Sequence, residues 1–177
     1  LVDFTPFFQQ KNEIFTHFWT KFRLDSLSGK WDYIEPAMFG YAAGKVIEGF
    51  YHCHLNATDH IIAQFHEWMT GTGVLYLEEN IPQIATVFTT HATVCGRAIS
   101  GSGLPFYSSF EKFNAEQVAR DFNIISKYSL EKTTAYTADC FTCVSSFTAK
   151  ECEKFLGKYP DFITPNGFDA DIIPSSP

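Results

Sequence analysis

The sequence has few positive charges. Its 177 residues carry 13 Lys and Arg against 20 Asp and Glu, a formal net charge of −7, and the basic residues form no run. Binding to a nucleic-acid backbone needs clustered Lys and Arg, so the composition argues against a nucleic-acid partner. An apolar stretch long enough to cross a membrane is also missing. We therefore predict neither a nucleic-acid partner nor a membrane partner.

Cysteine is scarce, and its pattern excludes two kinds of site. The five cysteines are odd in number and irregular in spacing, which predicts no disulfide framework and a reducing compartment. The "CFTC" at 140–143 falls in a predicted strand, where residues three apart point to opposite faces. The "HCH" at 52–54 has no second pair of ligands at zinc spacing. We therefore predict no metal site and no cofactor.

A glycine-rich dinucleotide fingerprint is missing as well. The two candidates, "GTG" at 71–73 and "GSG" at 101–103, do not complete the GxGxxG pattern. This argues against a nicotinamide-dependent oxidoreductase. The sequence also begins without Met and shows no signal-peptide pattern, so we expect it to be a piece of a longer protein.

Aromatic and apolar residues are abundant. Aromatics make up 17% of the chain, with 19 Phe, and hydrophobic residues make up 45%. A chain of this length and composition can bury a sizeable core, so we predict one globular domain over residues 1–177.

The order of predicted elements indicates the fold class. Strands are predicted at 1–4, 60–66, 84–90, 139–145 and 161–167. Helices are predicted within 5–27 and at 37–53 (with Pro36 in the first turn), 69–80, 114–138 and 148–156, with a loop at 98–113. Alternating strands and helices predict an α/β fold with a parallel, Rossmann-like sheet. The strands read as continuous apolar runs, which predicts helices on both faces of that sheet.

Polar residues follow the predicted strands where such sheets bind ligands, at the carboxyl ends. These residues are His91 with Arg97, Glu67, and Asn166 with Gly167, and we predict that they share one rim. Each also has a plainer interpretation: a capping histidine, a surface arginine, an acid at a helix N-terminus and a simple turn. We interpret Ser145 as a helix-entry residue, Thr148 with Glu151 as capping only, and His66 and Trp68 as packing residues.

Five blocks occur in an order that resembles one enzyme family. They are "QFHEWMTG" (64–71), "TVFTTHATVCGR" (86–97), "FYSSFEKFN" (106–114), "FTCVSSFTAKE" (141–151) and "PDFITPNGFDA" (160–170). The chain thereby resembles glycogen synthases of the animal and fungal type. The resemblance implies a retaining glycosyltransferase of GT-B architecture, with two Rossmann-like domains facing a cleft. This chain would be part of the N-terminal domain, without the second, nucleotide-sugar-binding domain.

The resemblance also assigns roles to the rim residues. It implies that His91 contacts the transferred glucose and that Arg97 faces the cleft, where a guanidinium can pair with hydroxyls or a phosphate. These two are the candidate catalytic residues. Glu67 would border the sugar, and Asn166 and Gly167 would face the cleft near the hinge between domains. These three are the candidate substrate-binding residues, and no metal is implied.

The implied activity is transfer of glucose from a nucleotide sugar to the non-reducing end of an α-1,4-glucan, with retention. The resemblance favours UDP-glucose over ADP-glucose as the donor. It implies a cytoplasmic location, and the intact enzyme could form a homo-oligomer. The alternative is a non-catalytic glucan-binding or assembly module, whose aromatic residues at 5–22 and 106–113 hold glucan without chemistry.

Overall fold

The chain folds around one parallel sheet. The structure is a computed structural model, and it describes residues 1–56 and 58–167. Its four strands lie side by side in chain order, which confirms the predicted α/β class and parallel pairing. The strands are β1 (Ile62–His66), β2 (Ala85–Thr90), β3 (Cys140–Cys143) and β4 (Phe162–Ile163).

The part of the chain that the structure describes contains seven α-helices. They are α1 (Phe7–Phe22), α2 (Trp31–His54), α3 (Gly71–Asn80), α4 (Val94–Gly101), α5 (Ala115–Asp121), α6 (Ile125–Thr137) and α7 (Ser146–Glu151). Short 3₁₀ turns occupy Trp68–Thr70 and Phe110–Lys112, and a π-helical turn, Cys152–Leu156, extends α7. No helix within the described ranges has both the length and the apolar character needed to span a membrane.

The second half of β2 is buried on both faces of the sheet, whereas β1 exposes every second residue. Successive side chains of a strand point to opposite faces, yet Phe88, Thr89 and Thr90 are all buried. Phe88 stacks on Phe141 of the neighbouring strand, with ring centroids 5.7 Å apart. A strand buried on both sides reads as a continuous apolar and β-branched run, which is how β2 appears in the sequence.

Helices α2 and α3 cross so closely that their backbones are in contact at Gly40 and Gly73. A Cβ added at Gly73 would lie 2.7 Å from the carbonyl oxygen of Gly40 and 2.5 Å from the ring of Phe65. Real Cβ atoms do not approach other atoms this closely, so the crossing requires glycine. Because α3 directly follows the turn after β1, this packing also fixes the end of β1.

The predicted strand at 1–4 is wrong. The carboxylate of Asp3 accepts hydrogen bonds from the backbone N–H and the hydroxyl of Thr5, at 3.0 and 2.7 Å, in a turn that leads into α1. Phe4 packs edge-on against Phe8 and Phe39. Phe4 therefore serves helix packing, while Leu1 and Val2 are exposed.

Three helix predictions also need correction. The predicted loop at 98–113 begins too early, because α4 continues to Gly101; this helix starts at Thr93, whose hydroxyl accepts the N–H of Gly96. The predicted helix at 114–138 is two helices, since Asn123 has a left-handed backbone (φ 56°) that interrupts it. Helix α2 begins at Trp31, which places Pro36 in its second turn.

Two helix caps test the sequence interpretation directly. Asn114 accepts the N–H of Gln117 at 3.0 Å, which confirms it as the cap of α5. Helix α7 is capped by Ser145, whose hydroxyl accepts the N–H of Thr148 at 3.0 Å. Ser145 is therefore a helix-entry residue, as predicted, while Thr148 lies inside the helix.

Candidate functional site

The carboxyl ends of β1 and β2 lie next to each other. His66 pairs with Thr89 in register, and the N–H of Glu67 donates to the carbonyl of Thr89 at 2.9 Å. The two strands therefore end side by side, and the residues that follow them, Glu67 and His91, meet at one edge of the sheet. This is the edge at which open parallel sheets bind ligands.

Glu67 has a backbone conformation that L residues rarely adopt. Its φ of 64° and ψ of 159° fall in a region occupied almost entirely by glycine. Such a residue costs about 1–3 kcal/mol and persists only where its surroundings hold it. Here the hydroxyl of Thr70 donates to the carbonyl of His66 at 2.8 Å, while the side chain of Glu67 is buried. The reversed backbone turns this carboxylate away from solvent.

The carboxylate of Glu67 joins the two candidate catalytic residues. Its Oε1 accepts the backbone N–H of His91 at 3.0 Å and a guanidinium N–H of Arg97 at 3.2 Å. The guanidinium lies on α4, one turn beyond the helix start, and its side chain is 58% exposed. An ion pair this exposed adds little stability, but it orients the guanidinium and leaves much of it open to solvent.

The ring of His91 pairs with another histidine. Its Nε2 lies 3.0 Å from Nδ1 of His66, and both side chains are accessible at the sheet edge. One nitrogen must donate and the other accept, so the pairing couples the tautomers of the two rings. His66 is therefore not a packing residue, and that interpretation of the sequence was wrong. Trp68 is buried, which confirms packing for its side chain.

Two further carboxylates hold the turn that contains His91. Glu151, at the end of α7, accepts the hydroxyl of Thr93 at 2.8 Å and its N–H at 3.3 Å. Glu131, on α6, accepts the N–H of Val94 at 2.9 Å. Acceptors are favoured at a helix N-terminus, where backbone N–H groups lack partners. The interpretation of Glu151 as a capping residue of its own helix was wrong.

Burial is the largest influence on the pKa values of Glu131 and Glu151. Burial raises the pKa of Glu131 to about 8, and the negative charges of Glu67 and Glu151 add to the effect, while the Val94 N–H opposes it. Burial also raises the pKa of Glu151, opposed chiefly by its hydrogen bonds from Thr93 and then by Arg97. Gly96 makes room for this arrangement, because a Cβ there would collide with Oε2 of Glu151.

The remaining predicted site residues lie further along the same edge. Asn166 and Gly167 follow β4, which is separated from β2 by β3, and both are exposed. Within the described residues, none of the side-chain hydrogen bonds connects them to Glu67, His91 or Arg97. The structure thus brings three of the five predicted residues together and leaves the other two apart.

Comparison with known proteins decides the family. The family model for glycogen synthase matches residues 1–173 of the chain. The chain belongs to the glycogen synthase family. Glycogen (starch) synthase from the liver of Rattus norvegicus is 42% identical over 110 residues, which is 62% of this chain and 16% of that protein.

Proteins from a yeast and a nematode are also similar to this chain. Isoform 2 of glycogen (starch) synthase from Saccharomyces cerevisiae is 39% identical over 66% of this chain and 17% of its own length. The glycogen (starch) synthase of Caenorhabditis elegans is 35% identical over 76% of this chain and 20% of its own length. This member of the glycogen synthase family therefore spans a fifth or less of these curated relatives.

Sequence reasoning missed three residues of this candidate site. His66 lies one residue before Glu67, and a second imidazole beside a predicted site residue was an available signal. Glu131 and Glu151 lie on helices distant in sequence, and their contacts depend on tertiary packing. For Glu131 the signal was a carboxylate on the buried face of α6, between Tyr128 and Ala135.

Metal binding and thiol chemistry give a first prediction. In the described residues, no group of three or more His, Cys, Asp or Glu is placed to hold a metal ion. Cys143 is buried and Cys140 partly buried in β3, and burial raises the pKa of both thiols. We expect no stoichiometric zinc or iron by elemental analysis, because residues three apart in a strand cannot share one ion.

A titration of the same protein with a thiol reagent counts its free cysteines. Exposed Cys53 should react rapidly with a thiol reagent in the native chain, while all five cysteines should react after denaturation. Burial, which raises the pKa of Cys95 and Cys152, lowers their thiolate fraction and slows their reaction. About one metal ion per chain, or fewer than five thiols in denaturant under reducing preparation, would contradict this prediction.

Proposed function

We propose that this chain supplies the glucose-positioning part of a glycogen synthase. The intact protein would transfer glucose from a nucleotide sugar to the non-reducing end of an α-1,4-glucan, with retention of configuration. The observation that carries this proposal is the hydrogen-bonded cluster of Glu67, His91 and Arg97 at the ligand-binding edge of the sheet, in a member of this family.

The chemistry of glucose transfer suits this cluster. Breaking the bond to a sugar passes through an oxocarbenium-like state, while negative charge develops on the departing diphosphate. In our proposal His91 holds the sugar in position and Arg97 faces the oxygen atoms that gain charge. One oxygen of Glu67 contacts the backbone of His91 and the guanidinium of Arg97, so it holds the two residues beside each other. Asn166 and Gly167 would contact the substrate from the other end of the same edge.

The donor phosphates need further residues. We propose that the chain forms part of the N-terminal domain of a GT-B enzyme, and that a second domain completes the donor site. UDP-glucose is the favoured donor, with ADP-glucose as the alternative, and the cytoplasm is the proposed location. No metal is required in this proposal, because the guanidinium and the second domain supply the positive charge.

A transfer assay tests the proposal. The intact protein should elongate a malto-oligosaccharide when given UDP-glucose, with ADP-glucose in a parallel reaction, and ¹H NMR should show the α configuration in the product. The chain of 177 residues should transfer no glucose from either donor. Transfer by this chain alone would disprove the assignment of the donor site to another domain, and a β-linked product would disprove retention.

The alternative, a glucan-binding module, depends on exposed aromatic residues, and not all of the aromatic residues at 106–113 are exposed. Among the aromatic residues at 106–113, Phe106 is buried in the core and stacks near Phe155. Tyr107 is 75% exposed, so it remains available for stacking on a sugar. The module would be favoured over the enzyme if the intact protein bound glucan beads but transferred no glucose. Tyr107→Ala should then abolish binding to the beads.

A further inference from the structure

Glu131 connects the end of β2 with the start of α4. Its side chain is completely buried on α6. Oε1 lies 3.3 Å from the hydroxyl of Thr90, the last residue of β2, and Oε2 accepts the N–H of Val94, the first residue of α4. His91 lies between these two contact points. Glu131 therefore spans the turn around His91 and holds it together with Glu67 and Glu151.

The hydrogen atoms available at this contact indicate a protonated carboxyl group. The hydroxyl of Thr90 lies 3.3 Å from Oε1 of Glu131 and 3.4 Å from the carbonyl oxygen of Ala92. A carboxylate and a carbonyl both only accept, and the hydroxyl has one hydrogen to give. With a proton on Oε1, Glu131 donates to Thr90 and Thr90 donates to Ala92, so every group is paired.

The surroundings also favour the neutral carboxyl group. The ionisable groups that face Glu131 are Glu67 after β1, Glu151 on α7, Cys95 on α4, Cys152 in the π-helical turn and Tyr128 on α6 itself. Each of them is neutral or negative. The nearby cation, Arg97, is directed to Glu67, at 3.2 Å. A charge on Glu131 would therefore be buried without a cationic partner, which is costly.

We propose that Glu131 is a positioning residue that retains its proton at neutral pH and, through Thr90 and Val94, fixes the turn that presents His91. The proposal rests on the proposed function only for the sugar at His91, because the proton and the hydrogen bonds are properties of the fold.

Glu131→Gln tests the proton without any substrate. The amide matches the protonated acid, because its oxygen can accept from Val94 and its nitrogen can donate to Thr90. The pKa of Glu131 in the folded chain, about 8, is above its value of 4.5 when unfolded, so the folded chain binds the extra proton between these pH values. The contribution of Glu131 to the stability of the wild-type chain should therefore fall as the pH rises from about 4.5 to about 8.

The measurement is thermal unfolding of the full chain between pH 5 and pH 8.5. The Tm of Glu131→Gln relative to wild type should rise by roughly 5 °C or more across this range, since the variant has no proton to lose. Glu116→Gln makes the same chemical change at an exposed position, and its Tm should run parallel to that of the wild type across the pH range. A difference in Tm between Glu131→Gln and the wild type that stays constant with pH, or that grows more negative as the pH rises, would overturn the proposal.

Activity of the intact protein tests positioning separately. Glu131→Leu preserves side-chain size but removes both hydrogen bonds, so kcat should fall about tenfold or more with a smaller change in KM. Glu131→Gln should restore most of that loss. Equal losses of kcat in the two variants would disprove positioning by the hydrogen bonds, even if Leu also lowers stability. Absence of glucose transfer by the wild type would instead disprove the proposed function and leave the Tm result intact.

Discussion

Replacing His91 with Ala in the intact protein is expected to lower kcat about 30- to 1,000-fold while the Tm changes little. This loss corresponds to about 2–4 kcal/mol of transition-state stabilisation, the size typical of one preorganised polar contact. The fold should tolerate the change because the ring is only half-buried and its hydrogen bond is to exposed His66. The contact of the backbone N–H with Glu67 remains in the variant.

Steady-state kinetics with the preferred donor and thermal unfolding check this prediction. His52→Ala is a matched control, since His52 is exposed on α2, and it should leave both kcat and Tm unchanged. A folded His91→Ala protein with nearly full kcat would show that the histidine has only a structural role. The glucose-positioning role proposed for the cluster would then be wrong.

Replacing Gly73 with Ala is expected to destabilise the chain by about 1–3 kcal/mol, the usual cost of overpacking a core. The new Cβ would meet the backbone oxygen of Gly40 and the ring of Phe65, and the oxygen cannot move without shifting α2. Denaturant unfolding measures the change as a lower midpoint at an unchanged slope.

Gly49→Ala, on α2, is expected to give the opposite result. Gly49 is exposed on α2, and its added Cβ meets nothing within 4 Å. Ala has a higher helix propensity than Gly, so this variant should gain about 0.5–1 kcal/mol. If both substitutions shifted the midpoint in the same direction, the close approach of α2 and α3 would not be what requires glycine at position 73.

The sheet could be predicted from the sequence because its signal is spread over many residues. Strands β1 to β3 are apolar and β-branched runs, and their alternation with helices leaves few arrangements other than a parallel sheet. The break between α5 and α6 depends on one backbone angle at Asn123. The start of α4 depends on one hydroxyl, that of Thr93. A helix boundary that depends on one residue gives a weak signal in the sequence, because the composition of the surrounding residues outweighs it.

The candidate site was predictable to the extent that topology determines it. Parallel pairing brings the ends of β1 and β2 together, and this places Glu67 beside His91 without further information. The contribution of Glu131 and Glu151 could not be predicted in the same way. Their contacts with the turn span 37 and 58 residues of sequence, so they depend on how α6 and α7 pack against α4.

The turn after β2 is closed by the chain's own carboxyl groups. Three of its backbone N–H groups, those of His91, Thr93 and Val94, donate to Glu67, Glu151 and Glu131 in turn. These amides are therefore not free to hold a phosphate, and an anionic ligand must use exposed side chains such as Arg97. The conformational entropy of the turn is lost when the chain folds and not when the sugar arrives, so this rim contributes to affinity as a rigid template.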